Sequence, residues 1–260
     1  MKISGQGEPL LLLHSSLSSH RQWQGLETLL APHHQLLLPD LLGYGQQPAA
    51  DFAPQATHTL AMEAAAVLEA MPECCKTQPM VVIGHSFGGA LALHLARCQK
   101  LHLKALVLFE PVVFHLLKSE VSTEAAQLLR QVQTLAADML QLPAAEAARI
   151  FVDYWQQAGF FRHLPERMQL QMAQQVWKVP QDFAALLGEN ACLADYQPID
   201  CPILLLRGSN SQRSALLLSE LLTTVWPQAN TRTLPTGHMG PVTASALVNQ
   251  HIIEFLQQLR

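Results

Sequence analysis

The residues best placed for chemistry are a serine and its flanking glycines between a strand and a helix. The segment Gly84-His85-Ser86-Phe87-Gly88-Gly89 directly follows the apolar run 80–83, and a helical pattern covers 90–97. A serine on so sharp a turn needs neighbours without Cβ atoms, and the helix that begins there offers N–H groups and a positive dipole end to a developing oxyanion. Ser86 is therefore predicted to be a nucleophile. The alternative is an ordinary serine that caps a helix.

Six short apolar runs, with helical patterns between them, form the frame that must position this turn. They cover residues 10–13, 35–38, 80–83, 105–109, 203–206 and 231–234. Such alternation predicts an α/β fold, with a mostly parallel sheet of about six strands and helices on both faces. Thr59 is expected to cap a crossover helix that ends before Pro72, and Thr243 to cap the last helix.

Between Val113 and Asp195 the pattern changes to helices alone. Ser122 begins the first, and Pro143 and Pro165 are expected in the first turns of two more, where proline is tolerated. The sequence thus predicts a helical cap, residues 113–195, inserted in an α/β core formed by residues 1–112 and 196–260. Its aromatic side chains, namely Trp155, Phe160, Phe161 and Trp177, could form an apolar acyl pocket over Ser86, although aromatics at helical spacing more often pack a core.

The composition favours small-molecule partners in a reducing compartment. Of 260 residues 49% are hydrophobic and only 14% are charged, and 16 basic against 20 acidic side chains give a net charge of −4 without a basic cluster. Nucleic-acid binding is therefore not expected. The five cysteines contain no C-x-x-C pair, so neither disulfides nor a zinc site is predicted. We expect a cytoplasmic protein without a membrane span, metal or cofactor.

The segment 84–89 resembles the nucleophile elbow of the α/β-hydrolase superfamily, and the rest of the chain follows that family's order. His14-Ser15-Ser16-Leu17 stands where the family has its oxyanion loop, and Gly237-His238-Met239-Gly240 follows the last strand. The resemblance implies the α/β-hydrolase fold. The family's usual leading hairpin is expected to be missing or reduced, because only residues 1–4 precede the loop to the first apolar strand.

The resemblance also bears on the base, because the family's histidine comes last in chain order. A serine nucleophile needs a base within hydrogen-bond reach, and His238 alone among 12 histidines combines that order with a short glycine-flanked loop after the last strand. His238 is predicted to be the general base and later the acid. A surface histidine is the alternative. His85 is expected to support the elbow and to point away from the reacting centre.

The acid that orients this histidine is less clearly marked. The family usually has an aspartate after its seventh strand, where this sequence has 208–212, with Asn210 but no acid. Glu110 ends the strand after the nucleophile's own, and Pro111 is expected to hold it extended on the same rim as Ser86. Haloalkane dehalogenases carry their acid here, and 106–111 resembles that arrangement. Glu110 is the predicted acid, and a rim glutamate that holds the start of the cap is the alternative.

The resemblance further implies an oxyanion hole of two backbone N–H groups, those of Phe87 and Ser16. The sequence leaves open whether Leu17 supplies the second donor, and whether residues 15–19 are simply a polar loop. Asp40 is expected to be structural, bonding within its own loop.

Together these residues predict a cofactor-free serine hydrolase. It would cleave a carboxylic ester or thioester of a small to medium apolar acyl group through an acyl-enzyme. The same machinery would also serve C–C bond or amide hydrolysis. A ligand-binding protein that kept the fold but lost its acid is the alternative from another class. The oligomeric state is left open.

Overall fold

A computed structural model describes residues 1–47 and 57–259. Within these ranges the chain forms one sheet of seven strands, in the order β1-β3-β2-β4-β5-β6-β7. The strands are β1 Lys2–Ser4, β2 Glu8–Leu13, β3 His34–Leu38, β4 Met80–His85, β5 Leu103–Phe109, β6 Ile203–Gly208 and β7 Asn230–Leu234. Strands β2 to β7 pair in parallel, as the alternation of strands and helices predicts.

The sheet has one strand more than the six predicted from the sequence. Strand β1 lies antiparallel to β3, with Lys2 opposite Leu38 and Ser4 opposite Leu36. Its single apolar residue, Ile3, is 48% exposed, so β1 shows no burial pattern that would mark a strand. The leading hairpin was expected to be missing or reduced, and in the described residues it is reduced to this one short strand at the edge.

The helices of the described ranges include three that are a single turn long. They are α1 Gln24–Leu30, α2 Leu60–Ala70, α3 Glu73–Lys76, α4 Phe87–Arg97, α5 Leu116–Ser119, α6 Thr123–Gln141, α7 Ala144–Trp155, α8 Glu166–Gln175, α9 Val179–Gly188, α10 Arg213–Val225, α11 Gly240–Thr243 and α12 Ser245–Gln258. Alternate residues of the strands belong to two apolar clusters, Leu11 to one and Leu10 to the other. The sheet is thus covered by apolar packing on both faces.

Side-chain caps explain where several helices begin. Thr59 Oγ1 accepts a hydrogen bond of 3.2 Å from Met62 N at the start of α2, and Ser122 Oγ accepts one of 3.0 Å from Ala125 N at the start of α6. The expected cap at Thr243 is wrong. Thr243 is the last residue of α11, where its hydroxyl donates to Met239 O, and α12 begins two residues later.

The segment between β5 and β6, here called the helical insertion, contains α5 to α9 and short 3₁₀ turns. Pro143 and Pro165 stand directly before α7 and α8, at the capping position rather than in the first turn. Strand β4 leads into α4 through Ser86, and β5 leads into the insertion through Glu110. The predicted division of the chain at 112/113 and 195/196 stays a prediction.

Candidate active site

Ser86 lies between β4 and α4 in a backbone conformation that side chains rarely adopt. Its φ is 55° and its ψ is −117°, and its side chain is 5% exposed. The turn is possible because of the neighbouring glycines, since a Cβ on Gly84 would collide with the Gly88 carbonyl and one on Gly88 with the Leu13 carbonyl. Ser86 N donates to Phe109 O at 3.0 Å, which fixes the turn to β5.

A continuous chain of hydrogen bonds joins the hydroxyl of Ser86 to the carboxylate of Glu110. Ser86 Oγ donates to His238 Nε2 at 2.9 Å, and His238 Nδ1 donates to Glu110 Oε2 at 2.6 Å. The exposed fractions of His238 and Glu110 are 1% and 0%. The structure thus brings together the three residues predicted from strands β4 and β5 and from the loop after β7.

Glu110 is anchored by both its backbone and its second carboxylate oxygen. Glu110 Oε1 accepts from Gly208 N at 2.6 Å, and Glu110 N donates to Leu206 O at 3.0 Å. The expectation that Pro111 holds Glu110 extended is wrong, because its φ is +43°. The hydrogen bonds to Leu206 and Gly208 outweigh the preference for an extended backbone that a proline imposes on the residue before it. Asn210 is exposed, and its side-chain oxygen accepts from Ser209 Oγ.

The two neighbours of His238 have structural contacts. His85 Nε2 donates to the backbone carbonyl of His238 at 2.8 Å, which agrees with a supporting position behind the elbow. Burial lowers the pKa of His85 well below its usual range, so its ring stays neutral. On the other side, the indole of Trp155 from α7 stacks on the imidazole of His238, with ring centroids 3.8 Å apart and 22° between the planes.

The loop after β2 lies against the elbow and offers backbone donors. Ser15 N donates to Gln22 Oε1 at 3.1 Å, so the amide before Ser16 is engaged within its own loop. Phe87 is the first residue of α4, so its N–H has no partner within the helix. Ser16 and Phe87 remain the predicted donors to an oxyanion.

Asp40 is held within its loop, as its predicted structural position implies. Asp40 Oδ1 accepts from His20 N at 2.7 Å, and Asp40 Oδ2 accepts from Gln46 N at 2.9 Å. These bonds and His20 lower the pKa of Asp40 although burial opposes them.

A buried ionic cluster, formed by His58, Glu63, Lys178 and Asp182, joins the helical insertion to the core. Lys178 Nζ donates to Glu63 Oε1 at 2.9 Å and to Asp182 Oδ1, and it lies 3.1 Å from His58 Nε2. All four side chains are at most 1% exposed. The three other members have the ligand types and spacing of a cation site, and the Lys178 ammonium lies at its centre.

The ionic cluster also reaches the loop after β2. Asp182 Oδ2 accepts from Ser16 Oγ and from Tyr44 Oη, both at 2.5 Å. Burial raises the pKa of Asp182 although Lys178 opposes the shift. Sequence reasoning missed this cluster. Lys178 and Glu63 are 115 positions apart, and a lysine beside Trp177 carries no signal that it is fully buried.

An apolar cavity of about 220 Å³ lies over Ser86. The insertion contributes half of the residues that line it, including Phe151, Trp155, Phe160 and Met172, and the core contributes the other half, including His238. Two of the aromatics predicted for a pocket, Trp155 and Phe160, therefore line it. Phe161 is buried in the apolar cluster instead, and Trp177 is 46% exposed.

Comparison with known proteins identifies the family. In this structure a serine stands on a strained turn between a strand of a mostly parallel sheet and a helix. It is hydrogen-bonded to a histidine that comes after the last strand, and inserted helices lie over it. This is the arrangement of an α/β hydrolase. A model of the alpha/beta hydrolase family matches residues 10–250. The chain belongs to that family.

The curated relatives are similar over a limited region. Lipase LipV of Mycobacterium tuberculosis is 38% identical over 104 residues, which cover 40% of this chain and 37% of the relative. The pimeloyl-[acyl-carrier protein] methyl ester esterase of Aeromonas salmonicida is 35% identical over 103 residues, again 40% of this chain and 37% of the relative. The chain thus matches well under half the length of these relatives.

Solved structures agree with the fold over nearly the whole chain. A hydrolase from Pseudomonas aeruginosa PA01 superposes with a TM-score of 0.78 at 21% identity, covering 98% of this chain and 92% of that one. MenH from S. aureus superposes with a TM-score of 0.74 at 20% identity, covering 99% and 98%. At such identities the likeness concerns the fold alone. Among the described residues, no helix is long and apolar enough to cross a membrane.

Proposed function

We propose that the protein is a serine hydrolase that cleaves a carboxylic ester or thioester through an acyl-enzyme. The observation that carries the proposal is the buried hydrogen-bond chain from Ser86 through His238 to Glu110. Ser86 Oγ attacks the substrate carbonyl while His238 Nε2 takes its proton, and Glu110 holds the tautomer in which Nε2 can accept. Glu110 also offsets the charge of the imidazolium that forms.

The intermediate then collapses with its oxyanion held by backbone donors. The N–H groups of Ser16 and Phe87 are proposed to bind the oxyanion, and Asp182 supports this loop through Ser16 Oγ. His238 returns the proton to the leaving oxygen or sulfur as the bond to the acyl carbon breaks. Water then attacks the acyl-enzyme with His238 as base, which releases the acid and restores Ser86.

An ester is the favoured bond because the similar curated proteins are named a lipase and a methyl ester esterase. C–C bond and amide hydrolysis use the same three groups, and turnover of p-nitrophenyl esters, acyl thioesters and amides of one acyl group distinguishes the bond types. The ligand-binding alternative relied on a missing acid after β6. The bond between Glu110 and His238 weakens that support.

The helices over Ser86, the free cysteines and the apolar cavity indicate the setting in which the protein acts. Residues 113–195 of the helical insertion are proposed to act as a cap that gives the cavity half of its wall. All five cysteines are free, which suits the reducing conditions of a cytoplasmic protein. The proposed partner is a small apolar molecule, with no nucleic acid, metal or cofactor.

A fluorophosphonate probe tests the enzyme proposal directly. The wild-type protein is expected to be labelled rapidly at Ser86, and Ser86→Ala to lose both labelling and about 10⁴- to 10⁶-fold in kcat. Ser209→Ala, which changes an exposed serine, is the matched control and should label like wild type. Absence of labelling in a correctly folded wild-type protein would favour the ligand-binding alternative.

A further inference from the structure

Two cavities of very different size meet at Ser86. The outer one is the apolar cavity of about 220 Å³ described above, and an inner one has a volume of about 10 Å³. Ser16, Ser86, Phe151 and Trp155 line both of them. In the tetrahedral intermediate, the carbon bound to Ser86 Oγ carries the oxyanion, the acyl chain and the leaving alcohol. The acyl chain and the alcohol therefore have one large and one very small space between them. The inference that follows depends on the proposed function.

The position of His238 decides which substituent enters which space. In ester hydrolysis the imidazolium must protonate the leaving oxygen, so the leaving alcohol lies on the side of the histidine. His238 lines the outer cavity, together with Met239 and Val242, and it does not line the inner one. The leaving alcohol therefore faces the large cavity. The chain attached to the acyl carbon faces the small one.

The inner cavity is narrow because tightly packed aromatic rings close it. Phe114 and Phe183 stack with centroids 5.8 Å apart, and Phe151 meets Phe183 edge-on at 6.2 Å. Phe114 and Phe183 are 0% and 3% exposed, so both rings are packed on nearly all sides. A space of about 10 Å³ is the size of one water molecule, and a methyl group is of similar size.

We propose that the substrates are acetate esters of a medium to long apolar alcohol. The methyl of the acetyl group occupies the inner cavity, and the alkyl chain of the alcohol occupies the outer one. Ser86 Oγ forms a bond to the acetyl carbon, the bond from that carbon to the alcohol oxygen breaks, and the alcohol leaves with the proton from His238. Water then releases acetate. The methyl ester esterase named above implies the reverse division, a long acyl chain and a methanol leaving group.

Two isomeric esters distinguish these divisions without a change in composition or hydrophobicity. Hexyl acetate and methyl heptanoate have the same formula, and only the position of the ester group differs. We expect kcat/KM to be at least about 10-fold higher for hexyl acetate, because one surplus methylene in a closed pocket already costs 10- to 200-fold. A preference for methyl heptanoate would overturn the inference. If neither ester is cleaved and the fluorophosphonate does not label Ser86, the proposed function itself fails.

Variants of the inner wall test the assignment of the two spaces. Phe183→Ala enlarges only the inner cavity, so the ratio of kcat/KM for hexyl butyrate to that for hexyl acetate should rise about 10-fold or more. Phe183→Leu is the milder version, and it should shift the ratio in the same direction if the alanine variant does not fold. Met172→Ala changes only the outer wall. It should leave this ratio unchanged and alter the preference among acetate esters of different alcohols. If Met172→Ala shifts the ratio of butyrate to acetate turnover and Phe183→Leu does not, the acyl chain lies in the outer cavity and the assignment is reversed.

Discussion

The two carboxylate oxygens of Glu110 have different partners, and this division makes the residue suited to orienting a base. Oε2 accepts from His238 Nδ1, and Oε1 accepts from the backbone N–H of Gly208 at the end of β6. A carboxylate held at both oxygens cannot rotate away from the imidazole. It also remains at the position where an imidazolium needs a negative charge.

Replacing Glu110 by glutamine keeps the size of the side chain but removes its negative charge and its control of the His238 tautomer. We expect Glu110→Gln to lower kcat by about 10⁴-fold with little change in KM, because an amide at this position favours the wrong imidazole tautomer, as in a serine protease. Steady-state kinetics on a p-nitrophenyl ester measure both constants. Asn210→Ala is the matched control at the position where the family usually has its acid, and it should retain wild-type turnover. The opposite pattern would remove Glu110 from the mechanism.

Backbone strain is concentrated around Ser86 and Glu110. Among the described residues, the non-glycine positions with positive φ are Leu17, Ser86, Gln99 and Glu110. Three of these four lie at the candidate site: Ser86 in the elbow, Leu17 in the loop after β2, and Glu110 after β5. Such conformations cost roughly 1–3 kcal/mol each and persist only where the surroundings impose them. The site is therefore held in place by the fold before any substrate binds.

At the scale of secondary structure, several ion pairs join the helical insertion to the core, and two of them differ sharply in burial. Lys178, in the turn before α9, bonds Glu63 of α2 with both side chains fully buried. Arg213 of α10 bonds Glu124 of α6 with both side chains more than 40% exposed. A buried charge that loses its partner is costly, whereas an exposed pair contributes little.

These two pairs predict different effects on stability. Lys178→Met should lower the free energy of unfolding by about 3–5 kcal/mol, because it leaves two buried carboxylates without their cation. Arg213→Met, which also breaks a contact between the insertion and the core, should change it by less than about 1 kcal/mol. Urea denaturation measures both effects. Equal losses for the two variants would contradict the view that the buried ionic cluster fastens the insertion.

The sequence predicted the elements with strong periodicity and missed those held by distant contacts. All six apolar runs are strands, and Thr59 and Ser122 cap their helices, because burial and capping leave a local pattern. Strand β1 is stabilised by pairing with β3, so its own residues show no such pattern. The positive φ of Glu110 likewise depends on its bonds to Leu206 and Gly208, which lie far along the chain.

The candidate site was predicted in the same unequal way. Ser86 and His238 stand in recognisable loops, and Glu110 could be chosen from the order of the strands. Lys178 and Asp182 had no comparable signal, since a lysine and an aspartate four positions apart usually form an exposed pair on a helix. Their burial depends on how the insertion lies against the core.

The molecule as a whole contains histidines that must be neutral in the folded state. Burial lowers the pKa of His14 and of His115 to about 4. The geometry of His14 agrees, since its Nε2 accepts from Leu41 N at 2.9 Å while its Nδ1 donates to Ser15 O. In the unfolded chain both rings would titrate near their ordinary value of about 6.5. Between these values the unfolded state binds more protons.

The free energy of unfolding should therefore fall as the pH decreases from about 6.5 towards 4. Above pH 6.5 the contribution of the two neutral rings to stability should be fully present. Each of the two rings is expected to contribute roughly 3 kcal/mol to this loss. Urea denaturation at pH 7, 6 and 5 measures the slope. His115→Phe should make the slope smaller, and His102→Gln, at an exposed position, should leave it unchanged. A slope that both variants leave unchanged would mean that His115 is not held neutral.

The stacking of Trp155 on His238 has a consequence for how this molecule could be recombined with others. The insertion supplies the indole that covers the imidazole of His238, and its Asp182 bonds Ser16 in the loop after β2. A graft that exchanged this segment for that of a relative would therefore replace part of the surroundings of Ser86 and His238 as well as half of the cavity wall. The two parts of the chain are a matched pair, and a chimaera would need both sides of their contact to be transplanted together.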